Sequence, residues 1–144
     1  MIFTNKDKPL TEDEVTSVEI SLGIEFPQPL RKLFIENNGG EPTPYVYRDE
    51  ALSTVVSETL PLISDSGRGT AVDTYKNLVI DKKLIDPFFF PFAVDGGGDY
   101  FFVDCNSPNA NVYFLTFDNF PNSTKVDLQM GLDTFWLSLQ PEDV

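Results

Sequence analysis

The chain has 144 residues, of which 41% are hydrophobic, so we expect a single domain over residues 1–144 with a core of its own. Its 23 acidic and 10 basic residues give a formal net charge of -13. Such a charge opposes direct binding to nucleic acids and anionic membranes and favours a basic partner, although many soluble proteins are acidic without one.

The N-terminal stretch MIFTNKDKPL is too short and too charged for the apolar part of a signal peptide. No apolar run approaches the roughly 18 residues that a membrane-spanning helix needs. Cys105 is the only cysteine, which excludes an internal disulfide and agrees with a reducing compartment. We therefore expect a cytoplasmic protein that does not bind membranes.

The first predicted element is a helix that begins after Thr11. Thr11 and Glu14 have the spacing of a capping box, in which the two side chains accept backbone N–H groups at the start of a helix. The apolar residues that follow at helical spacing are Val15, Val18 and Leu22. Gly23 comes directly after this stripe, where a residue that easily adopts a positive φ ends the helix.

A second helix is predicted in the stretch FPQPLRKLFIENNGG. Its prolines lie at the entry, where a missing N–H costs little. Its inward-facing residues are Leu30, Leu33 and Phe34. Two asparagines and two glycines follow at 37–40, which predicts the end of the helix and a turn. We expect Asn38, Gly39 and Gly40 to serve the fold.

The middle of the chain has weaker patterns. Residues 42–48 predict one short strand, and the prolines there indicate the edge of a sheet. Residues 49–65 have no clear pattern. The stretch TAVDTYKNLVID predicts a third helix that Thr70 caps. Its apolar face consists of Val72, Tyr75, Leu78 and Val79.

The remaining sequence is typical of consecutive antiparallel strands. Aromatic and β-branched runs occur in FFFPFAV, YFFVD and NVYFLTF, and turn residues separate them. A closing helix is predicted over residues 132–139. The fold class that follows is α+β, a single domain in which helices pack against a mostly antiparallel or mixed sheet.

The stretch FAVDGGGDYFFVD, residues 92–104, places three glycines between Asp95 and Asp99. A phosphate-binding loop presents glycine N–H groups at a helix N-terminus, whereas these glycines lie between two predicted strands and two negative charges. A calcium loop needs side-chain oxygens at alternate positions, which glycine lacks. We therefore interpret the stretch as a hairpin whose glycines supply positive φ angles. Weak binding of a divalent cation by Asp95, Asp99 and Asp104 is the alternative.

The sequence has few of the residues that catalysis uses. It contains no histidine to act as a general base or metal ligand near neutral pH. Cys105 therefore lacks an activating histidine, and one cysteine cannot form a zinc site. Carboxylate pairs can act as acid and base, but nothing singles out two of the many Asp and Glu residues. The loop SDSGRGT lacks the GK[ST] ending of a nucleotide loop, so we interpret it as a turn before the third helix. We expect no cofactor, no metal and no enzymatic activity.

A resemblance to a known family joins these elements. Its N-terminal part consists of Glu19, Ser21, Leu22, Gly23, Phe26, Pro27, Leu33, Phe34, Asn38, Gly39 and Gly40. Its later part consists of residues 90–93, Asp95, 97–99, Asp104, Thr134, Phe135 and Leu139. Their order and spacing resemble the SUKH superfamily, which includes the Smi/Knr-type regulators of fungal cell-wall assembly. The chain departs from that pattern over residues 43–69 and at Ser138, where a bulky apolar residue is common.

The resemblance implies an α+β domain without catalytic activity. Many small bacterial members are immunity proteins, which bind and inhibit a polymorphic or contact-dependent toxin, often a nuclease. Fungal members are longer and carry disordered extensions, so the length of this chain favours the bacterial type. The implied partner is a cognate toxin domain, which we expect to be basic because it would complement an acidic surface.

The residues that we expect to contact the partner lie in predicted turns and at a predicted sheet edge, which offer side chains without disturbing the core. They are Glu41, Tyr45, Tyr47, Asp95, Asp99, Tyr100 and Asp104. The carboxylates would pair with lysines and arginines of the partner. The tyrosines, which we expect to be partly exposed, would anchor the contact.

Two other functions stay open from the sequence. A regulatory or scaffold adaptor of the Smi/Knr type would bind several partners more weakly. A hydrolase based on carboxylates or a metal would need Asp95 and Asp99 for activity, and the metal would raise its melting temperature. No oligomeric state follows from the sequence.

Overall fold

The computed structural model describes residues 1–117 and 123–142. The helices of these residues are α1 (Glu12–Leu22), α2 (Gln28–Glu36), α3 (Ala71–Tyr75) and α4 (Leu132–Ser138), and α3 continues as the π-helical segment Lys76–Asp81. The strands of the same residues are β1 (Ile2–Thr4), β2 (Glu41–Thr43), β3 (Val46–Arg48), β4 (Ser53–Thr59), β5 (Phe89–Asp95), β6 (Tyr100–Asp104), β7 (Asn111–Thr116) and β8 (Thr124–Gly131). This combination confirms the predicted α+β class.

The strands of the described residues form two sheets. β1 pairs with β2 in a small sheet, and β3 to β8 form the main sheet, in which each strand neighbours the next one in the chain. The pairings in both sheets are antiparallel. In the main sheet Val56 lies opposite Asp95, and Tyr100 lies opposite Leu115. The main sheet is therefore an antiparallel meander, as the aromatic runs predict.

Helix α1 begins and ends where the sequence predicts. The Thr11 hydroxyl accepts the Glu14 N–H at 3.1 Å, and the Glu14 carboxylate accepts the Thr11 N–H at 3.0 Å, which completes the capping box. Gly23 ends the helix with a φ of 68°. The Glu19 carboxylate then accepts the Phe26 N–H at 2.6 Å, so a side chain of α1 holds the connection to α2.

Aromatic side chains of the strands and helices build the core on one face of the main sheet. The ring centroid of Phe90 lies 4.7 Å from that of Phe26 and 6.1 Å from that of Phe34 in α2. Phe135 of α4 lies 5.3 Å from Phe101 of β6 by the same measure. All five side chains are buried. Because these rings are packed between helices and sheet, the aromatic runs serve the core, as predicted.

The structure differs from the predicted elements in four places. It adds β1, β4 and β8, and β4 lies in the segment 49–65, for which no element is predicted. The prediction of one strand over residues 42–48 is wrong, because β2 belongs to the small sheet and β3 to the main sheet. Pro44 lies between them, and its missing N–H cannot join a ladder.

A group of hydrogen bonds that we call the Asn38 junction connects segments that are distant in the sequence. The Asn38 side chain, which is 2% exposed, donates to the carbonyl groups of Lys8 and Ile63 at 2.9 and 2.8 Å. Its oxygen accepts the Leu62 N–H at 2.7 Å. The junction therefore joins the end of α2, the N-terminal segment and the chain that follows β4.

The two glycines after Asn38 allow the chain to pass close to other segments. Gly39 has a φ of 63°, and a Cβ added there would lie only 2.7 Å from the Pro61 Cβ. The Gly40 N–H donates to the Thr59 hydroxyl at 2.8 Å inside the core. The interpretation that Asn38, Gly39 and Gly40 serve the fold is confirmed.

Asp7 ties the same segments together. Its backbone N–H donates to the Asn38 carbonyl at 2.8 Å. Its side chain is 4% exposed, and its carboxylate accepts the hydroxyl groups of Ser64 at 2.6 Å and Ser66 at 2.9 Å, with an Arg68 nitrogen 3.7 Å away. The Ser64 hydrogen bond is the main reason why the Asp7 pKa falls to about 2 from its usual value of 3.8. The loop SDSGRGT thus anchors the N-terminal segment.

Candidate partner-binding site

The glycine stretch forms the β5–β6 hairpin, and this confirms its interpretation from the sequence. One oxygen of the Asp95 carboxylate accepts the N–H groups of Gly97 at 2.9 Å and Asp99 at 2.8 Å, and the other accepts the Thr54 hydroxyl at 2.9 Å. Asp95 is only 9% exposed. Of the three glycines Gly98 supplies a positive φ to the turn, and Gly96 and Gly97 do not.

Asp99 and Tyr100 follow this turn and lie beside Phe117. The Asp99 carboxylate accepts the Phe117 N–H at 3.1 Å, and the rings of Tyr100 and Phe117 are 6.2 Å apart in an edge-on arrangement. Successive residues of a strand point to opposite faces. Because Phe101 points toward α4, Tyr100 points away from the helices. Tyr100 is half-buried, which confirms the expectation of partial exposure.

Tyr47 and Tyr45 differ in exposure, and only Tyr45 is partly exposed as expected. Tyr47 is 1% exposed and stacks on Phe135 at 5.6 Å between ring centroids, so the expectation that it is partly exposed is wrong. Its hydroxyl donates to Asp49 at 2.5 Å, and burial raises the pKa of Tyr47. Tyr45 is half-buried, and its hydroxyl donates to Glu142 at 2.6 Å. That hydrogen bond raises the pKa of Tyr45.

Glu41 and Tyr45 line one cleft of about 380 Å³ between the small sheet and β4. Val55 and Ser57 of β4 form part of its wall. Glu41 is exposed, and its carboxylate accepts a hydrogen bond from the side-chain amide of Asn5. This cleft combines a carboxylate with a tyrosine ring, a pairing that suits a basic side chain of a partner.

Asp104 lies apart from the other predicted residues. Asp104 is the last residue of β6, whereas Asp99 directly precedes the first one. A rise of about 3.3 Å per residue puts their backbones roughly 16 Å apart. The Asp104 carboxylate accepts the Asn106 N–H at 2.8 Å, within its own turn. The structure therefore brings Asp95, Asp99 and Tyr100 together, pairs Glu41 with Tyr45, and separates Asp104 from both groups. That these residues bind a partner stays a prediction.

Two further carboxylates, Asp49 and Glu50, lie at the same end of the main sheet and were not predicted from the sequence. The β3–β4 turn that carries them lies at the same end of the main sheet as the β5–β6 turn, because Val56 pairs with Asp95 and β4 extends beyond that pair toward this turn. We call Asp49, Glu50, Asp95 and Asp99 the acidic end. The signal that was available is the polar run RDE before the β-branched run STVV, which is typical of a turn between strands.

The Asp49 carboxylate holds its turn in the same way as Asp95 does. It accepts the N–H groups of Ala51 and Leu52 at 2.7 and 2.8 Å as well as the Tyr47 hydroxyl. The Tyr47 hydroxyl is the main reason why the Asp49 pKa is lowered. Each turn of the acidic end is therefore ordered by a carboxylate of its own.

Other chemical groups of the described residues offer little to a reactive site. Cys105 is half-buried, and its burial raises the thiol pKa to about 12, so it is protonated at neutral pH. In residues 1–117 and 123–142 no group of three or more His, Cys, Asp or Glu side chains is placed to hold a metal ion. The helices of the same residues include none with the length and apolar character to cross a bilayer.

The fold agrees with a comparison with known families. No curated protein and no solved structure matches the chain significantly. The family model of the SMI1 / KNR4 family (SUKH-1) matches residues 9–129, which is most of the chain and includes both Asn38 and the β5–β6 turn. The resemblance found in the sequence is confirmed, and the chain belongs to the SMI1 / KNR4 family (SUKH-1).

Proposed function

We propose that this chain is a non-catalytic immunity protein that binds a basic toxin domain and neutralises it by covering its functional surface. The observation that carries the proposal is the acidic end, where four carboxylates lie on two internally ordered turns at the same end of the main sheet of a SUKH-1 domain. The net charge of -13 makes the electrostatic potential of the molecule as a whole negative as well. A toxin that must bind the phosphates of a nucleic acid carries the complementary charge.

Order in the two turns makes them suitable for recognition. Association costs free energy when loops and side chains become fixed at an interface. Asp49 and Asp95 already accept backbone N–H groups of their own turns, so the backbone that carries Glu50 and Asp99 needs little further ordering. Glu50 is exposed and Asp99 is half-buried, and both would face lysines or arginines of the toxin.

Tyrosines flank the acidic end and would supply apolar contact area. Tyr100 lies directly after the β5–β6 turn, and the backbone carbonyl of Tyr45 accepts the N–H of Val56, which lies opposite Asp95. Both rings are half-buried, which limits the conformational entropy that they lose on binding. Interfaces take much of their binding energy from such aromatic anchors surrounded by polar groups.

The inhibition would be steric and electrostatic, with no reaction at this chain. Carboxylates of the acidic end would occupy the lysines and arginines with which the toxin binds phosphate, and the domain itself would block access to the toxin's active site. A toxin of this kind acts on cytoplasmic nucleic acid, so the complex would form in the cytoplasm. Long-range attraction between opposite charges would make association fast and sensitive to salt.

The test is a titration of the purified chain with the toxin domain encoded beside it, at low and at high salt. We expect a single tight complex that weakens as the salt concentration rises. Glu50→Lys should weaken it about tenfold at low salt, mainly through slower association. Glu25→Lys is the matched control, because Glu25 is exposed and lines a cleft with Asn106 beyond the opposite end of β6.

Two outcomes would count against the proposal. One is the absence of binding at low salt. The other is an equal effect of Glu50→Lys and Glu25→Lys, because net charge alone, and not the acidic end, would then explain the attraction. Binding of several unrelated partners with lower affinity would indicate a regulatory adaptor instead.

A further inference from the structure

A cleft lies where the π-helical segment, the loop before β5 and the start of β8 meet. Its volume is about 690 Å³, and its apolar wall includes Ile80, Leu84 and Ile85. Small-molecule sites in proteins have volumes of roughly 300–1,000 Å³ and are lined mainly by apolar side chains with a few polar groups. Size and lining therefore suit a small molecule with an apolar body.

Two lysines, Lys83 and Lys125, line the same cleft. The Lys125 ammonium lies 4.9 Å from the centre of the Phe89 ring and 5.5 Å from that of Tyr113, and these two aromatic contacts hold it in place. Neither lysine forms an ion pair with a carboxylate of residues 1–117 or 123–142. Two lysines at one cleft favour a ligand that carries negative charge.

Hydrogen bonds connect the walls of the cleft. The Leu84 N–H donates to the Leu78 carbonyl at 3.0 Å, and the Ser123 hydroxyl donates to the Leu84 carbonyl at 3.0 Å. The loop that carries Lys83 is thus tied to the π-helical segment on one side and to the start of β8 on the other. Among the described residues that line the cleft, two are lysines and one, Asp86, is a carboxylate.

We propose that this cleft binds a small organic anion with an apolar body, of the class of medium-chain carboxylates. The carboxylate pairs with the ammonium groups of Lys83 and Lys125, and the hydrocarbon chain lies against Ile80, Leu84 and Ile85. Charge assistance strengthens the hydrogen bonds, and burial of the hydrocarbon adds the hydrophobic contribution. The negative charge elsewhere on the molecule is screened within about 8 Å at physiological salt, so it does not prevent entry.

The test uses octanoate as the probe, with the ¹⁵N-labelled full chain followed by NMR at physiological salt. We expect octanoate to shift the amide signals of residues 79–86 and 123–125 in a saturable manner. Octanol and octylamine have the same apolar body without the negative charge, so each should bind about tenfold more weakly or worse. Equal binding of octanol, or shifts scattered over the surface, would overturn the proposal.

Variants locate the charge contact. Lys125→Gln should weaken octanoate binding about tenfold, because it removes one charge-assisted contact. Lys83→Asn should do the same, and asparagine tolerates the positive φ of 53° at this position. Lys76→Gln is the control, because Lys76 is an exposed lysine of the π-helical segment outside the cleft, and it should leave the affinity unchanged. Both lysines of the cleft are exposed, so we expect both variants to fold. If Lys83→Asn does not fold, the octanoate affinity of Lys125→Gln tests the charge contact by itself. Unchanged affinity in a folded cleft variant would refute the site.

Discussion

The Asn38 junction and the β5–β6 turn each depend on one buried polar side chain, but the two side chains differ in where their partners lie. Asn38 bonds to backbone groups that are 24, 25 and 30 residues away in the chain. Asp95 accepts the N–H groups of Gly97 and Asp99, two and four residues away, and one hydroxyl from distant Thr54. The first side chain joins segments of the fold, whereas the second mainly shapes a single turn.

This difference predicts how each region responds to mutation. Loss of the Asn38 side chain separates three segments and leaves backbone groups unpaired in the core, where their desolvation is not compensated. Loss of an interaction in the β5–β6 turn leaves the ladder between β5 and β6 intact, so the hairpin persists. We therefore expect large losses of stability at the junction and small ones in the turn.

Asn38→Ala has the largest expected effect. It removes the acceptor of the Leu62 N–H and the donor to two carbonyl groups, and we expect the free energy of unfolding to fall by about 3 kcal/mol. Urea unfolding followed by circular dichroism measures it. The control is Asn37→Ala, because among the described residues the Asn37 side chain accepts only a long 3.5 Å hydrogen bond from Lys6. Its loss should cost less than about 1 kcal/mol. Equal losses of unfolding free energy in the two variants would show that the Asn38 junction does not stabilise the fold more than an ordinary surface contact does.

The contrast also explains what could be predicted from the sequence. The capping box of α1 and the β5–β6 hairpin are local patterns, in which the interacting residues lie within a few positions of each other. The roles of Asn38 and Asp7 are not local, because their partners come from segments far along the chain. From the sequence, Asn38 could be placed only at a helix end.

The missed strands have two different causes. β8 alternates Val126, Leu128 and Met130 with polar residues, a period-2 pattern that was present but was not used. β1 is three residues long and exists because Ile2 pairs with Thr43, which no local pattern reveals.

The candidate site was predictable only in part, for the same reason. Asp99 and Tyr100 follow a glycine turn that any reading of local pattern finds. The burial of Tyr47 depends on Phe135 of α4, which is remote in the sequence. The place of Glu50 in the acidic end depends on the pairing of β4 with β5, which puts the β3–β4 and β5–β6 turns at the same end of the main sheet.

Asp7→Asn tests the Asn38 junction through the pH dependence of stability. We expect it to lower the free energy of unfolding less than Asn38→Ala does. The lowered pKa of Asp7, about 2 against 3.8, means that the ionised carboxylate stabilises the fold above pH 4 and that this contribution disappears between pH 4 and 2. At pH 7 the variant should lose about 1–2 kcal/mol, because an amide accepts the two serine hydroxyl groups less strongly than a carboxylate does.

The measurement is urea unfolding of wild type and Asp7→Asn from pH 7 down to pH 2. We expect the difference between them to shrink as the pH falls from 4 to 2. Asp81→Asn removes an exposed carboxylate and corrects for the change in net charge. A difference that stays constant over this range would show that the charge of Asp7 does not stabilise the junction.

The smallest effects are expected inside the glycine triplet, and they separate backbone conformation from close packing. Gly98 has a φ of 90° with open space around it, so Gly98→Ala should cost about 1 kcal/mol through backbone strain alone. A Cβ at Gly97 would lie 3.6 Å from the Asp95 carboxylate, an ordinary contact, and Gly97 has no positive φ, so Gly97→Ala should stay within about 0.5 kcal/mol of wild type. Thermal unfolding of both variants measures this. If Gly97→Ala keeps its stability but binds the toxin domain more weakly, then the absence of a side chain at Gly97 serves the contact with the partner, and the turn at the acidic end is part of the interface as well as of the hairpin.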